Sequence, residues 1–442
     1  MSPTVSGFAM LGVLLVLLAI GTPIAFALGL VSMGALFVVY GPFFLETLGE
    51  QFFGGMASFG LVAIPMFILM GAAVASSPAG KDLYEALDRW LNRVPGGLVL
   101  SNLGACSIFA ALSGSSPATC AAIGKMGIPE MRQRGYPPEI AAGSIAAGGT
   151  LGILIPPSVT MIVYGIATET SIGRLFLAGV GPGIMLTVFF MIWTIYACKR
   201  QGLGLTELSQ RFSMRERFAA LPRVLPFLAI IVAVLFVLYG GVATPSEAAG
   251  VGALFCLILV AVIYGMISRT WRFSQMTVIF RDTLKESVMI MLIIGASELF
   301  AFALSSLFIT QTIAAFIADM DVNRWVLMGV VNLFLLVAGF FLPPVAVILM
   351  TAPILLPIIT GAGFDPYWFA VILTINMEIG LITPPVGLNL YVINGIAPDI
   401  TLGQILRGSL PYVVCMILGI ITLCLFPQIA LLLPELVMGP EL

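Results

Sequence analysis

The sequence predicts an all-α integral membrane protein made of two related halves of opposite orientation. Each half is built around a re-entrant helical hairpin and a helix broken at a Pro-Pro pair. Three observations lead there. Of 442 residues, 60% are hydrophobic and only 9% charged, with a mean hydropathy of +1.12, whereas a soluble domain carries about 25% charged residues. The apolar residues fall into runs of membrane-span length. A set of glycine and proline motifs recurs at a fixed spacing.

A bilayer core takes about 20 apolar residues per helix. Breakers and charges place spans near 5–20, 24–40, 59–79, 139–168, 175–198, 224–240, 246–267, 288–308, 366–397 and 404–433. Regions 96–127 and 327–360 do not fit, because turn residues interrupt them at Ser113-Gly-Ser-Ser-Pro117 and Leu342-Pro-Pro344. Each resulting half is expected to be too short to cross, so both regions read as hairpins that enter and leave on one side.

Charge tests the topology independently. With the N-terminus outside, 17 of the 19 basic residues fall on or near the cytoplasmic face, and only Arg174 and Arg324 on the other. Positive charge in short loops sets orientation. The basic segment 199–223, which includes Arg211, is expected to be a cytoplasmic linker between a first repeat (1–198) and a second (224–442). Segment Lys81–Val94 places Leu83, Leu87, Trp90, Leu91 and Val94 on one helical face and charges on the other, the composition of a helix lying in the interface. Segments 41–58, 269–286 and 310–322 are weaker candidates of the same kind.

A shift of 228 residues carries Pro129 onto Pro357, Pro138 onto Pro366, Gly152 onto Gly380, and Pro156-Pro157 onto Pro384-Pro385. Gly165-Ile-Ala recurs as Gly395-Ile-Ala, and Thr22-Pro23 as Thr244-Pro245. Five crossings and a hairpin per half make the second half inverted. Inverted repeats with paired broken helices point to a secondary transporter.

Composition removes other functions. There is no histidine, hence no Ser/His catalysis, His metal site or His proton relay. Cys106, Cys120, Cys198, Cys256, Cys415 and Cys424 are scattered through apolar segments without a CxxC pair and read as small core residues. A net charge of -2 argues against a nucleic-acid partner. An intramembrane hydrolase using Ser115 or Ser116 would have only Lys125 as base, so the chain is not read as an enzyme. A passive channel would not need two broken-helix pairs.

Proline leaves the carbonyl four residues earlier without its helical donor. The prolines free Gly152 and Ile153 in the first half and Gly380 and Leu381 in the second. Pro117 frees Ser113, and Pro343 frees Gly339. In hydrocarbon such oxygens need a partner, and a small hard cation would serve, helped by the hydroxyls of Ser113, Ser115 and Thr383. Water or Ser/Thr back-bonding is the plainer alternative. Half-helix N-termini suit an anionic substrate. Lys125, Glu247, Glu298, Asp365 and Glu378 are ionisable groups in or near spans; Glu247 also reads as part of a capped helix start. Asn376 and Asn389 flank the second Pro-Pro pair and could donate to a carboxylate, or tie helices together.

Ser113-Gly-Ser-Ser-Pro-Ala-Thr119, Gly152-Ile-Leu-Ile-Pro-Pro-Ser158, Gly165-Ile-Ala-Thr168 and Glu378-Ile-Gly-Leu-Ile-Thr-Pro-Pro385 resemble the large membrane subunit of the tripartite ATP-independent periplasmic (TRAP) transporters of bacteria and archaea. The likeness covers essentially the whole chain. It implies an inverted-repeat, elevator-type transporter in the bacterial cytoplasmic (inner) membrane, with a transport domain formed by 96–198 and 327–442 moving against a scaffold formed by the rest. It implies three partners: a small four-helix membrane subunit as a separate chain, a periplasmic substrate-binding protein, and a small organic acid imported with sodium ions. Carried over by motif position, a first sodium site would use Ser113, Ser115, Gly152, Ile155 and Pro156. A second would use Gly339, Gly380, Thr383 and Val386. Ser115, Ser116, Thr160 and Asn389 are the candidate substrate contacts. The second hairpin tip, Gly339-Phe-Phe-Leu-Pro-Pro344, lacks the acidic residue that many family members carry there, which argues against copying a substrate from the sialic acid or dicarboxylate branches. The alternative is a stand-alone cation-coupled organic anion transporter that needs no binding protein.

Overall fold

A computed structural model describes residues 2–42, 45–203, 212–312, 315 and 323–439, and these form helices and connecting turns with no strand among them. Helix α1 (Pro3–Ala19) starts where the Ser2 hydroxyl accepts from the Val5 amide, followed by α2 (Ile24–Tyr40) and α3 (Leu45–Met56). A 3₁₀ turn (Phe59–Val62) leads into α4 (Ala63–Ala75), then α5 (Ala79–Leu91), α6 (Gly97–Ser113) and α7 (Ser116–Gln133). Helix α8 (Pro138–Thr150) passes through a 3₁₀ turn (Leu151–Ile153) and resumes as α9 (Val159–Ala167), before α10 (Ile172–Arg200). The second half runs through α11 (Met214–Tyr239), α12 (Pro245–Leu259, continuing as a π-helix over Val260–Ile267) and α13 (Gln275–Ser306). It continues with α14 (Arg324–Phe341), α15 (Pro344–Gly361), α16 (Pro366–Leu381), α17 (Leu388–Ile396), α18 (Leu402–Leu425) and α19 (Gln428–Met438).

Local sequence explains the starts. Reciprocal capping boxes open α11 (Ser213 with Glu216), α12 (Thr244 with Glu247) and α18 (Thr401 with Gln404), each satisfying amides that a helix start leaves without partners. The Asp365 carboxylate accepts from the Tyr367 and Trp368 amides at 2.8 and 2.9 Å. Glu247 and Asp365 are therefore caps. The bounds of α6–α7 and α14–α15 follow the same 228-residue spacing: Ser113, Ser116 and Gln133 shift onto Phe341, Pro344 and Gly361.

Among the described residues, seven helices are long and apolar enough to cross a membrane: α10, α11, α12 with its π segment, α13, α14, α15 and α18. Large apolar side chains such as Phe8, Val16, Val232, Phe236, Leu333 and Ile421 are exposed on the outside, as a lipid-facing surface requires.

Several elements differ from the sequence expectations. Both α14 and α15 have 18 residues, about 27 Å at 1.5 Å per residue, so neither arm is too short to cross on length alone. The span expected over 59–79 is α4, bent by 54° against Thr47–Met56. Segment 269–286 is no separate interfacial helix, since from Gln275 onward it belongs to the 32-residue α13. The span expected over 404–433 stops at Leu425, because Pro427 has no amide to continue the ladder, and α19 starts afresh. Helix α11 begins at Met214, inside the expected linker, because its capping box precedes the apolar run. Arg211 and most of segment 310–322 lie outside the described residues.

A large core joins α4–α19, and a smaller one joins α1, α2, α3 and the later turns of α13 through Met10, Leu14, Leu28, Leu36, Leu48, Phe300 and Leu304. Helix α5 has the amphipathic pattern expected and is bolted to its neighbours at both ends. Asp82 is buried and accepts from the Tyr264 hydroxyl at 2.7 Å, with Arg223 at 3.3 Å. Near the other end, Trp90 packs edge-on against Phe218 and under the Arg217 guanidinium, and Asp88 faces Arg134 at 3.8 Å.

Candidate functional site

The α6–α7 turn is built by its own hydroxyls. Ser113 Oγ lies 2.8 Å from Thr119 Oγ1, which donates to the Ser115 carbonyl at 2.9 Å. Gly114 makes the turn in the left-handed region (φ 58°), where a side chain is disfavoured. This tip seats on the α8–α9 break. A Cβ on Gly152 would lie 2.8 Å from the Ser115 carbonyl oxygen and 3.0 Å from the Ser116 nitrogen, so only glycine lets the two backbones approach this closely. A Cβ on Gly71 of α4 would likewise meet the Ser113 carbonyl oxygen at 2.6 Å.

The second half repeats the contact with different side chains. A Cβ on Gly380 would collide with the Gly339 carbonyl, and the Val386 amide donates to the Phe340 carbonyl at 3.3 Å. Both double prolines, Pro156-Pro157 and Pro384-Pro385, are cis. Each tip, with Ser113 and Ser115 in one half and Gly339 in the other, thus lies against the glycine that precedes a Pro-Pro break. Ile155 and Pro156 follow that glycine in the first half, Thr383 and Val386 in the second.

Among the described residues, no hydrogen bond reaches the carbonyl oxygens of Ser113, Gly152, Gly339, Gly380 or Leu381. The sixth oxygen exposed by counting back from proline, that of Ile153, is satisfied locally by the Ser158 hydroxyl at 2.5 Å. Ser158 also caps α9 by accepting from the Met161 amide. Back-bonding therefore accounts for one of the six. Thr383 donates to the Ile379 carbonyl at 2.6 Å, and its oxygen keeps lone pairs to offer. Backbone and hydroxyl oxygens of this kind suit a small hard cation.

The remaining candidates separate. Ser115 lines a cavity of about 620 Å³ together with Ser113, Gly71 and Lys125. Ser116 and Asn389 are wholly buried. Ser116 donates to the Thr150 carbonyl at 3.1 Å, and Asn389 to the Ala146 carbonyl at 3.1 Å, tying α17 to α8. Thr160 is buried in α9. Asn376 bridges to Asn332 of α14 at 2.6 Å. Glu378 is fully buried, and neither carboxylate oxygen has a partner among the described residues. Glu298 packs against Gly55 of α3.

Sequence reasoning overlooked Thr119 and Gly71. Thr119 sits one helical turn after Ser115, a spacing that brings a hydroxyl back onto the freed backbone, so its signal was present. Gly71 lies in a plain apolar run and carries none.

Residues 11–429 match the family described as "Tripartite ATP-independent periplasmic transporter, DctM component". The chain belongs to this family. It is 39% identical over 403 residues to the C4-dicarboxylate TRAP transporter large permease protein DctM of Pseudomonas aeruginosa, covering 91% of this chain and 92% of that one. The sialic acid TRAP transporter large permease protein SiaM of Vibrio cholerae is 31% identical over 96% of this chain and 97% of its own. The ectoine TRAP transporter large permease protein TeaC of Halomonas elongata is 31% identical, covering 97% and 98%. The fold is similar to that of the Alcanivorax borkumensis YdaH transporter (TM-score 0.63, 17% identity, 91% of this chain and 90% of that one). The chain is thus the large membrane subunit of a binding-protein-dependent secondary transporter of the TRAP type, multi-pass in the bacterial inner membrane, and not an enzyme.

Proposed function

We propose that this subunit imports a small organic acid together with sodium, by an elevator movement of a transport domain formed by 96–198 and 327–442 against the rest of the chain. One observation carries the reading: in each half a helix–turn–helix tip rests on the glycine before a Pro-Pro break, leaving carbonyl oxygens without donors. Ser113, Ser115, Gly152, Ile155 and Pro156 would hold one sodium ion, and Gly339, Gly380, Thr383 and Val386 another. Bound there, sodium would neutralise oxygens that are otherwise costly to bury. The 228-residue spacing of the two tips and breaks supports an inverted repeat, with α6–α7 and α14–α15 as the re-entrant hairpins.

The substrate class follows from two sources. The names of the relatives include C4-dicarboxylate, sialic acid and ectoine, all carboxylates. In this chain the first tip is rich in hydroxyls while the second, Gly339-Phe-Phe-Leu-Pro-Pro344, has no charge, so the first tip would supply the polar contacts through Ser115. A small four-helix membrane subunit and a periplasmic binding protein would complete the system, the latter delivering the organic acid.

Thermal stability of the purified subunit, in sodium and in potassium at equal ionic strength, tests the reading without knowledge of the substrate. Saturable stabilisation by sodium, weakened in Ser113→Ala and in Thr383→Ala, is the expected result. Equal stability in the two salts would remove the sodium assignment.

A further inference from the structure

Two sides of the cavity that reaches Ser113 and Ser115 are unlike, and α4 and α5 line the remainder. One is the face of α7 carrying Ala118, Ala121, Ala122 and Lys125, and the other is the face of α13 carrying Gln275, Ile279, Asp282 and Glu286. Both sets recur every three or four residues, so each is a single helical stripe. From Ser115 to Lys125 the α7 stripe runs about 15 Å. Alanines keep it open, and a cation ends it. Among the described residues Lys125 has no ion-pair partner, and it also borders a second cavity of about 690 Å³ with Arg132. On the opposite wall Asp282 is paired with Arg281 at 3.4 Å, and Glu286 adds a further carboxylate. Lys81, with Ser76 and Ser77, lines a further side of the cavity, and Lys81 and Lys125 both belong to the basic residues that the charge distribution places on or near the cytoplasmic face.

Taking the sodium-coupled reading above as its basis, we propose that this slot is the cytoplasmic exit of the first site and is divided by charge. The organic anion leaves along α7 toward Lys125, and sodium leaves along α13 past Glu286 and Asp282. Opposite charges on opposite walls keep the two ions from travelling as a pair, and an unpaired lysine at the far end of an alanine stripe draws the anion outward. Of the residues assigned to the two sodium sites, only Ser113 and Ser115 line this slot, so the first site is the one that empties through it.

The test places a reporter in the slot. Ala122→Cys, in the complete transporter in inside-out membrane vesicles in potassium buffer, is exposed to impermeant methanethiosulfonate reagents, one bearing a sulfonate and one a trimethylammonium group. The parent chain gives the background, five of its six cysteines being buried. Both reagents are expected to label Cys at position 122 from the cytoplasmic face. The anion-to-cation rate ratio should fall about fivefold in Lys125→Gln, as one charge at short range across a wet cavity dictates. It should persist in Lys125→Arg and rise in Asp282→Asn/Glu286→Gln. No labelling from the cytoplasmic face, or a ratio indifferent to Lys125→Gln, overturns the proposal. Because no sodium is present, a failure of sodium coupling would leave this result standing, and the two readings fail separately.

Discussion

Gly152→Ala puts the smallest possible side chain where the structure leaves no room. The new Cβ would sit 2.8 Å from the Ser115 carbonyl oxygen, 2.9 Å from its carbon and 3.0 Å from the Ser116 nitrogen, whereas ordinary contact begins at 3.4 Å. All three neighbours are backbone, so no rotamer change relieves the clash, and the α6–α7 tip must retreat by about 0.6 Å (3.4 minus 2.8). Overpacking of this kind costs about 1–3 kcal/mol, which a chain with this much buried surface tolerates. The proposed cation site would be less forgiving, since ligand distances in metal sites hold to about 0.2 Å. Sodium at ten times its Kd stabilises by about 1.4 kcal/mol per site, so two sites give about 2.8 kcal/mol, and weakening the first tenfold leaves about 0.4 kcal/mol there and about 1.8 kcal/mol in all. The assay is the melting temperature of purified protein as a function of sodium against potassium. The expected variant inserts, purifies and melts cooperatively, yet its sodium-dependent shift shrinks by about a third, the second site being untouched. A Gly152→Ala chain with the parent's full sodium response would refute the argument that the tip and the break share an ion.

The remaining predictions are independent of this one. Asp82→Asn keeps the shape but weakens the acceptor for Tyr264 and removes the charge facing Arg223, so it should cost about 1–3 kcal/mol; unchanged thermal stability would show that α5 is held by packing alone. Asn332→Leu removes the partner of the buried Asn376 amide, with an expected loss of about 1 kcal/mol, checked by melting in detergent. Glu378→Met replaces a buried carboxyl that has no partner among the described residues with an apolar chain of similar length. Stability should hold or rise by about 1 kcal/mol, and a marked drop would mean that the carboxyl is paired in the membrane.

The parts of the fold that the sequence made legible are those where backbone chemistry is written in residue type. Proline removes a donor wherever it stands, so the breaks at Pro156-Pro157 and Pro384-Pro385 and the tips at Ser113-Pro117 and Gly339-Pro344 could be placed within a residue or two. The same counting named the carbonyls that the structure leaves without donors. Capping boxes were legible for the same reason, as at Thr244 and Glu247. What was not legible depends on neighbours distant in the chain. Nothing in the run 59–79 signals the 54° bend at its start or the close approach of Gly71 to Ser113. Asn389 was read as a candidate substrate contact by its place beside the Pro-Pro pair, and only the fold shows its amide engaged with Ala146 of the other half. The Ser158 hydroxyl satisfies one freed carbonyl and leaves its neighbour's, a distinction of a single residue that spacing alone does not make.

The two halves share a backbone plan but not a side-chain plan, and the difference bears on how one chain could handle two kinds of ion. In the first half the tip carries Ser113, Ser115 and Ser116, with Thr119 folded back on it, and it borders a slot lined by Lys125 and Glu286. In the second half the matching tip is Phe340, Phe341 and Leu342, and its contact with the break is backbone to backbone. A cation needs only the oxygens that proline sets free, which both halves provide. An organic anion needs donors, which are concentrated in one. If coupling works as proposed, exchanging the tips should therefore be asymmetric. Stripping the hydroxyls from the first tip with Ser113→Ala and Ser115→Ala, and keeping Gly114 because its φ of 58° disfavours a side chain, should abolish substrate recognition while a sodium response survives through the second site. Hydroxyl residues introduced at Phe340 and Phe341 should leave recognition with the first half, as uptake and sodium-dependent melting of the same variants would show.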